Sequence, residues 1–215
     1  PWRFLAQAYW PPDRGAALYR PLTVFGFAVQ WVIGGGAPVV FHAVSMLLSA
    51  VVSALVGSLA LVAGLGRRAA LAAAVLFAVH PVHVEAVANV VGQGELLAAL
   101  AVLAALVVYV GARRRGRLTP TESITVAALY GAGCLAKEHA TVLPALLLIV
   151  ELALVPGLSL RQRLRIAGPT LLGLAVVAVV VWTARTTVLG GLSGVDTHPV
   201  FRGVTPGARI LTSLG

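Results

Sequence analysis

Charge is scarce in this 215-residue chain. Only 11% of its residues are Asp, Glu, Lys or Arg, against 59% hydrophobic. A soluble domain carries roughly 25% charged residues, so that class is excluded, and a mean hydropathy of +0.95 places the chain in a bilayer. Acids are scarcest, seven against sixteen Lys and Arg. Cysteine is almost absent: Cys134 stands alone in an apolar run, which excludes a disulfide framework and a cysteine-based metal site. The first residues lack a charged stretch followed by an apolar core, so no signal peptide is visible. Because the chain begins at Pro1 rather than Met and stops at Gly215 without a helix stop or tail, we expect a piece of a longer protein, cut at both ends.

The net charge of +9 would suggest a nucleic-acid partner if the basic residues shared one soluble face. Instead they fall in short clusters between apolar runs, the arrangement by which membrane proteins fix their orientation. The partner expected from composition is therefore the lipid bilayer, with no nucleic acid.

Apolar segments of about 17–25 residues can cross a bilayer. Six candidates lie at about 39–63, 69–86, 94–111, 121–137, 140–157 and 167–184. The fold class expected is an all-α, polytopic membrane bundle. If the first span ends inside at Arg67-Arg68, alternation also puts 113–117 and 161–165 inside. Nine of the sixteen basic residues then occupy three short cytoplasmic loops. All five histidines (His42, His80, His83, His139, His198) and the acids Asp13, Glu85, Glu95, Glu138 and Asp196 fall on or near the outer side. The inner loops read as topology signals; the outer ends hold the chemistry.

Residues 21–33, PLTVFGFAVQWVI, are too few to span. They suit a helix in the outer interface, with Trp31 at headgroup level and Pro21 as the first helical residue. Ser45, Ser49, Ser53 and Gly57 recur every four residues, a small ridge on which another helix can approach closely. Trp182 and Arg185 read as interfacial anchors closing the last span, ahead of an outer segment over 185–215.

Three polar groupings stand out. Tyr-Arg-Pro-Leu (19–22) sets the Arg20 guanidinium just before a helix start, either a phosphate site or an arginine snorkelling to water. His80-Pro-Val-His-Val-Glu85 closes an apolar run, and Pro81 should break or kink the helix there. If helical geometry resumes, His80 and His83 share a face and Glu85 points elsewhere. Spacing alone therefore encodes no three-ligand metal site, and a hydrogen-bonding cluster facing a polar cavity, with His42 joining it, fits better. Lys137, the only lysine, stands beside Glu138 and His139 at an outer helix end, either as a point charge for phosphate or as a hairpin ion pair.

These motifs occur in order: YRPLTVFGFAVQWVIGGGAPVVFH (19–42), AAAVLFAVHPVHVEAVANVVGQGELLAAL (72–100) and LAKEHATVLPALLL (135–148). Together they resemble the membrane region of the transmembrane and tetratricopeptide-repeat protein O-mannosyltransferases, GT-C-fold enzymes related to the protein O-mannosyltransferases. The resemblance implies transfer of a sugar, typically mannose, from a polyprenyl-phosphate donor to a hydroxyl of an acceptor protein or peptide. It places the chemistry on the outer face, here of a bacterial inner (plasma) membrane. It also implies a catalytic acid in the first outer loop, before residue 1; Asp13 does not match that motif. Arg20 and Lys137 would neutralise the carrier phosphate, while His80, His83 and Glu85 shape the pocket or position the acceptor. Tyr19, His42, Glu138 and His139 are further candidates. A divalent cation is left open as a cofactor, and tetratricopeptide repeats are expected downstream. Competing readings are a proton-coupled transporter or lipid flippase, which should show internal repeats that 39–111 and 121–184 lack, and a non-catalytic anchor for a repeat domain.

Overall fold

The computed structural model describes residues 6–9, 18–155 and 157–190. Among these residues every regular element is helical. The order is α1 (Pro21–Gly34), α2 (Pro38–Val62), α3 (Arg67–Val79), α4 (Val84–Ala88), α5 (Gln93–Arg114), α6 (Pro120–Ala136), α7 (Leu143–Ala153) and α8 (Leu160–Leu189). Short 3-10 turns at Pro81–His83, Val90–Gly92 and Glu138–Val142 join α3 to α4, α4 to α5 and α6 to α7.

The helix ends follow local chemistry. Proline opens α1, α2 and α6, where the first turn needs no amide donor. Capping boxes start α6 (Thr119 with Glu122) and α8 (Ser159 with Gln162). Gly35 and Gly190, at φ of 56° and 74°, close α1 and α8 in the left-handed conformation that other residues avoid. Pro81 ends α3: it forces His80 into extended backbone (φ −69°, ψ 126°), and the chain resumes as α4 bent by 49° from α3.

The all-α expectation holds. The expected six membrane helices are not confirmed. Among the described residues three helices are long and apolar enough to cross a membrane: α2, α5 with its preceding turn, and α8; the bent pair α3–α4 makes four if it forms one span. At about 1.5 Å per residue, the 17 residues of α6 reach only the lower limit for spanning, and the 11 of α7 fall short.

At the centre, α5 packs between α2 and α6, and α6 in turn carries α8. Ala105, Tyr109, Val126, Tyr130, Leu143, Leu147 and Leu174 form the core of that packing. The small ridge of α2 faces inward: Ser45, Ser53 and Gly57 are buried, and a Cβ at Gly57 would stand 3.3 Å from the Ala70 carbonyl of α3. A polar layer pins α1 into the bundle. Gln30 and Gln93 exchange amide hydrogen bonds of 2.8 and 3.0 Å, and Gln93 also donates to Phe41 O and Ser45 Oγ. Thr23 Oγ1 donates to Ala136 O at 2.9 Å. The C-terminal end of α1 keeps Trp31, Val32 and Ile33 exposed.

Charge sorts to the two ends of the bundle. Arg114 donates to Val62 O, Arg115 pairs with Glu122, and Arg113 and Arg163 both approach Glu151. These contacts gather the basic turns after α2 and α5 and before α8 at one end. His80, His83 and Glu85 follow the far end of α3, Glu95 lies at the far end of α5, and Lys137–His139 follow the far end of α6.

Candidate functional site

At that far end, α6 stops at Ala136 and Lys137 adopts an extended conformation (φ −158°, ψ 147°). Successive side chains of an extended strand point to opposite sides, so Lys137 and Glu138 diverge. Gly133 lets the following turn fold back on α6: a Cβ there would stand 2.8 Å from that of Ala140.

Glu138 turns to two guanidinium groups. Its Oε2 accepts from Arg20 Nε and Nη2 at 3.1 and 2.9 Å, and its Oε1 accepts from Arg185 Nη1 at 2.9 Å. Burial pushes the Glu138 carboxyl up, but its own backbone N–H and the two arginines outweigh this and hold it below the ordinary carboxylate range. One carboxylate between two arginines leaves an excess positive charge. It borders a cavity of about 310 Å³ lined by Tyr19, Tyr130, Cys134, Trp182 and Arg185.

Lys137 turns the other way and pairs with Glu95 at the start of α5. The second oxygen of Glu95 lies 3.0 Å from His139 Nδ1. Lys137 and Glu95 share a cavity of about 360 Å³ with Glu85 and Asn89. A third cavity, about 370 Å³, is lined by His42, Met46, Ser49, His80 and His83. His80 Nδ1 accepts the Val82 N–H at 3.2 Å, so Nε2 carries the ring proton when the imidazole is neutral. The His83 ring lies 4.1 Å from that of Phe77 and 5.9 Å from that of His80.

The structure thus divides the sequence candidates among three cavities at one end. Tyr19 and Glu138 line the first, with Arg20 joined to it through Glu138; Lys137 and Glu85 line the second, with His139 joined to it through Glu95; His42, His80 and His83 line the third. His80 and His83 share a cavity and Glu85 faces a different one, because α4 resumes helical geometry after the Pro81 break. Sequence reasoning did not single out Glu95 or Arg185 as site residues. Glu95 is the first acid after the Gly-Gln-Gly break; Arg185 looked like an anchor because α8 continues to Leu189, beyond the segment read as the span. Among the described residues no three of His, Cys, Asp and Glu stand close enough to hold a metal ion. Asp13, Asp196 and His198 lie outside the described residues.

Comparison with known sequences identifies relatives. The chain is 39% identical over 178 residues to the Drosophila melanogaster protein O-mannosyl-transferase Tmtc2, an alignment covering 77% of this chain and 19% of that protein. It is 31% identical over 162 residues to Mus musculus protein O-mannosyl-transferase TMTC3, covering 75% and 18%. With Homo sapiens protein O-mannosyl-transferase TMTC4 it shares 43% over 121 residues, covering 50% and 16%. The chain therefore spans less than a fifth of the length of these relatives. No family model and no solved structure matches it. With identity of 31–39% sustained across three quarters of its residues, the chain belongs to the TMTC protein O-mannosyl-transferase family.

Proposed function

We propose that the complete protein transfers mannose from a polyprenyl-phosphate carrier to a protein hydroxyl, and that the end of the bundle opposite the basic turns is its donor site. The observation that carries this is the meeting of Arg20, Glu138 and Arg185 beside an aromatic-lined cavity. Three segments distant in sequence converge there, and the cluster keeps one positive charge in excess. The names of the relatives support the transferase class and the protein acceptor.

In the transfer, the acceptor oxygen forms a bond to C1 of the sugar. The bond from C1 to the phosphate oxygen breaks, and its electron pair leaves with the carrier phosphate. Arg20, with Arg185, stabilises that charge as it develops, when electrostatic stabilisation matters most. Lys137, turned from Glu95 toward the carrier, adds a point charge. His80, His83 and Glu85 shape the acceptor side, with His42 in the same cavity as the two histidines. Tyr19 walls the donor cavity, and Glu138 and His139 hold the cations in place. The acceptor proton passes to a carboxylate base, the catalytic acid that the family resemblance implies. No step is routed through a divalent cation.

In this reading the site faces the outside of a bacterial plasma membrane, which the basic turns at the other end support through the positive-inside rule. The test uses the full-length protein in proteoliposomes, with labelled polyprenyl-phosphate-mannose and an acceptor peptide. Arg20→Ala, Lys137→Ala and His80→Ala should each lower transfer. If all three keep the wild-type rate, the site is misassigned. Cysteines placed at 115 and 139 should label from opposite sides; labelling from the same side refutes the orientation.

A further inference from the structure

We propose that the basic end of the bundle holds a binding site for the headgroup of an anionic phospholipid, in the cleft between the α5–α6 turn and the first turns of α8. The cleft encloses about 480 Å³. Its polar walls are Arg117, Gln162 and Arg165; its apolar walls are Leu118, Ile166 and Pro169. Residues 162, 165, 166 and 169 are spaced to share one face of a helix, so α8 supplies one wall and the turn after α5 the other. Gly116, at φ of +74°, makes the left-handed turn that brings Arg117 to the cleft.

Every polar side chain there is poised to donate. Gln162 Oε1 already accepts from Ser159 N and Oγ at 2.8 and 2.9 Å, which leaves its amide N–H groups for a ligand. The two carboxylates of this end are engaged elsewhere: Glu151 by Arg113 and Tyr109, Glu122 by Arg115 and Thr119. Arg117 and Arg165 are exposed, and neither has a carboxylate partner among the described residues. Two unneutralised guanidinium groups and an amide facing one cleft match a phosphodiester, which guanidinium binds through paired hydrogen bonds.

Depth selects a lipid over a soluble anion. The cleft sits where α5 ends and α8 begins, and both helices are long and apolar enough to cross a membrane. It therefore lies at headgroup level, with Leu118, Ile166 and Pro169 turned to the glycerol and upper acyl chain. Basic pockets between helices on the cytoplasmic side are suited to anionic headgroups. The site is independent of the transfer reaction and of the residues assigned to it.

The experiment exposes the full-length protein, in detergent, to equal amounts of phosphatidylglycerol and phosphatidylcholine with the same acyl chains, and reads retained lipid by native mass spectrometry. Wild type should retain phosphatidylglycerol about thirtyfold over phosphatidylcholine, given the strength of two arginines near an anionic surface. Arg117→Gln/Arg165→Gln should lose most of that preference. Arg67→Gln/Arg68→Gln, which removes equal charge from the same end but outside the cleft, should keep it. Should the double variant not be recovered folded, Arg165→Gln alone, at an exposed helix position, carries the comparison. Equal retention of both lipids by wild type overturns the proposal, as does an unchanged preference in the cleft variant or an equal loss in the Arg67/Arg68 control. Displacement of the lipid by millimolar inorganic phosphate would assign the cleft to a soluble anion instead.

Discussion

The two ends of the bundle use the same pairing of arginine with glutamate in different surroundings. At the basic end, Glu151 accepts from Arg113 Nη2 at 2.9 Å and from Tyr109 Oη at 2.7 Å. The side chains of Arg113 and Glu151 are only 1% and 5% exposed. Both oxygens of that carboxylate are used and the pair is buried, so it locks α5 to α7. At the opposite end, Glu138 is a third exposed and Arg185 a quarter, and a cavity opens beside them. Those cations can exchange one acceptor for another. A closed ion pair is a structural device, and an open one can serve a ligand; burial separates the two.

Breaking each end tests that contrast. Glu151→Gln strands buried arginine charge and should cost about 3–5 kcal/mol of stability, read by thermal or denaturant unfolding in micelles. Arg113→Met/Glu151→Leu should recover most of the loss, since an apolar pair of similar volume replaces the lock. Arg20→Ala should leave unfolding nearly unchanged but lower kcat for mannose transfer by about 10²–10³, the scale of losing one preorganised charge-stabilising group. A fall in stability as large as that of Glu151→Gln would erase the distinction between the ends.

Smaller effects sharpen it. Gln93→Leu leaves the Gln30 amide buried without its partner and should cost about 1–3 kcal/mol; Gln30→Leu/Gln93→Leu should restore part of it, read by the same unfolding curves. The smallest effect is pH dependence at Glu138. Its carboxyl is held below the ordinary value of 4.5, so its stabilising contribution is fully present above that value. It is lost as pH falls through the lowered folded value. Acidification below 4.5 should therefore lower the melting temperature of wild type more than that of Glu138→Gln. Equal slopes would show that the Arg20 and Arg185 contacts do not hold the charged form.

Much of the candidate site was legible because its signals are local. The break at Pro81 followed from proline geometry. So did the division of Glu85 from His80 and His83, since i, i+3 neighbours share a helix face and i, i+5 residues do not. The sorting of charge to two ends followed from apolar run lengths. Arg185 and Glu95 were missed for the opposite reason: each acquires its role from a residue more than forty positions away. The count of six spans is not confirmed, because an apolar run does not show how long its helix is; α6 has 17 residues and α7 only 11.

The sequence by itself determined where the chain breaks between helices, which end of the bundle is basic, and which residue types gather at the other. Those properties depend on proline, glycine, caps and run length, all readable within a turn or two. Tertiary structure alone decided that Glu138 faces Arg20 and Arg185, that Lys137 faces Glu95, and that Gln30 meets Gln93. Such pairings depend on how far each helix is rotated about its own axis. In helices apolar on nearly every side, hydrophobic periodicity does not mark the buried face, and only the packing of α5 among its neighbours fixes it.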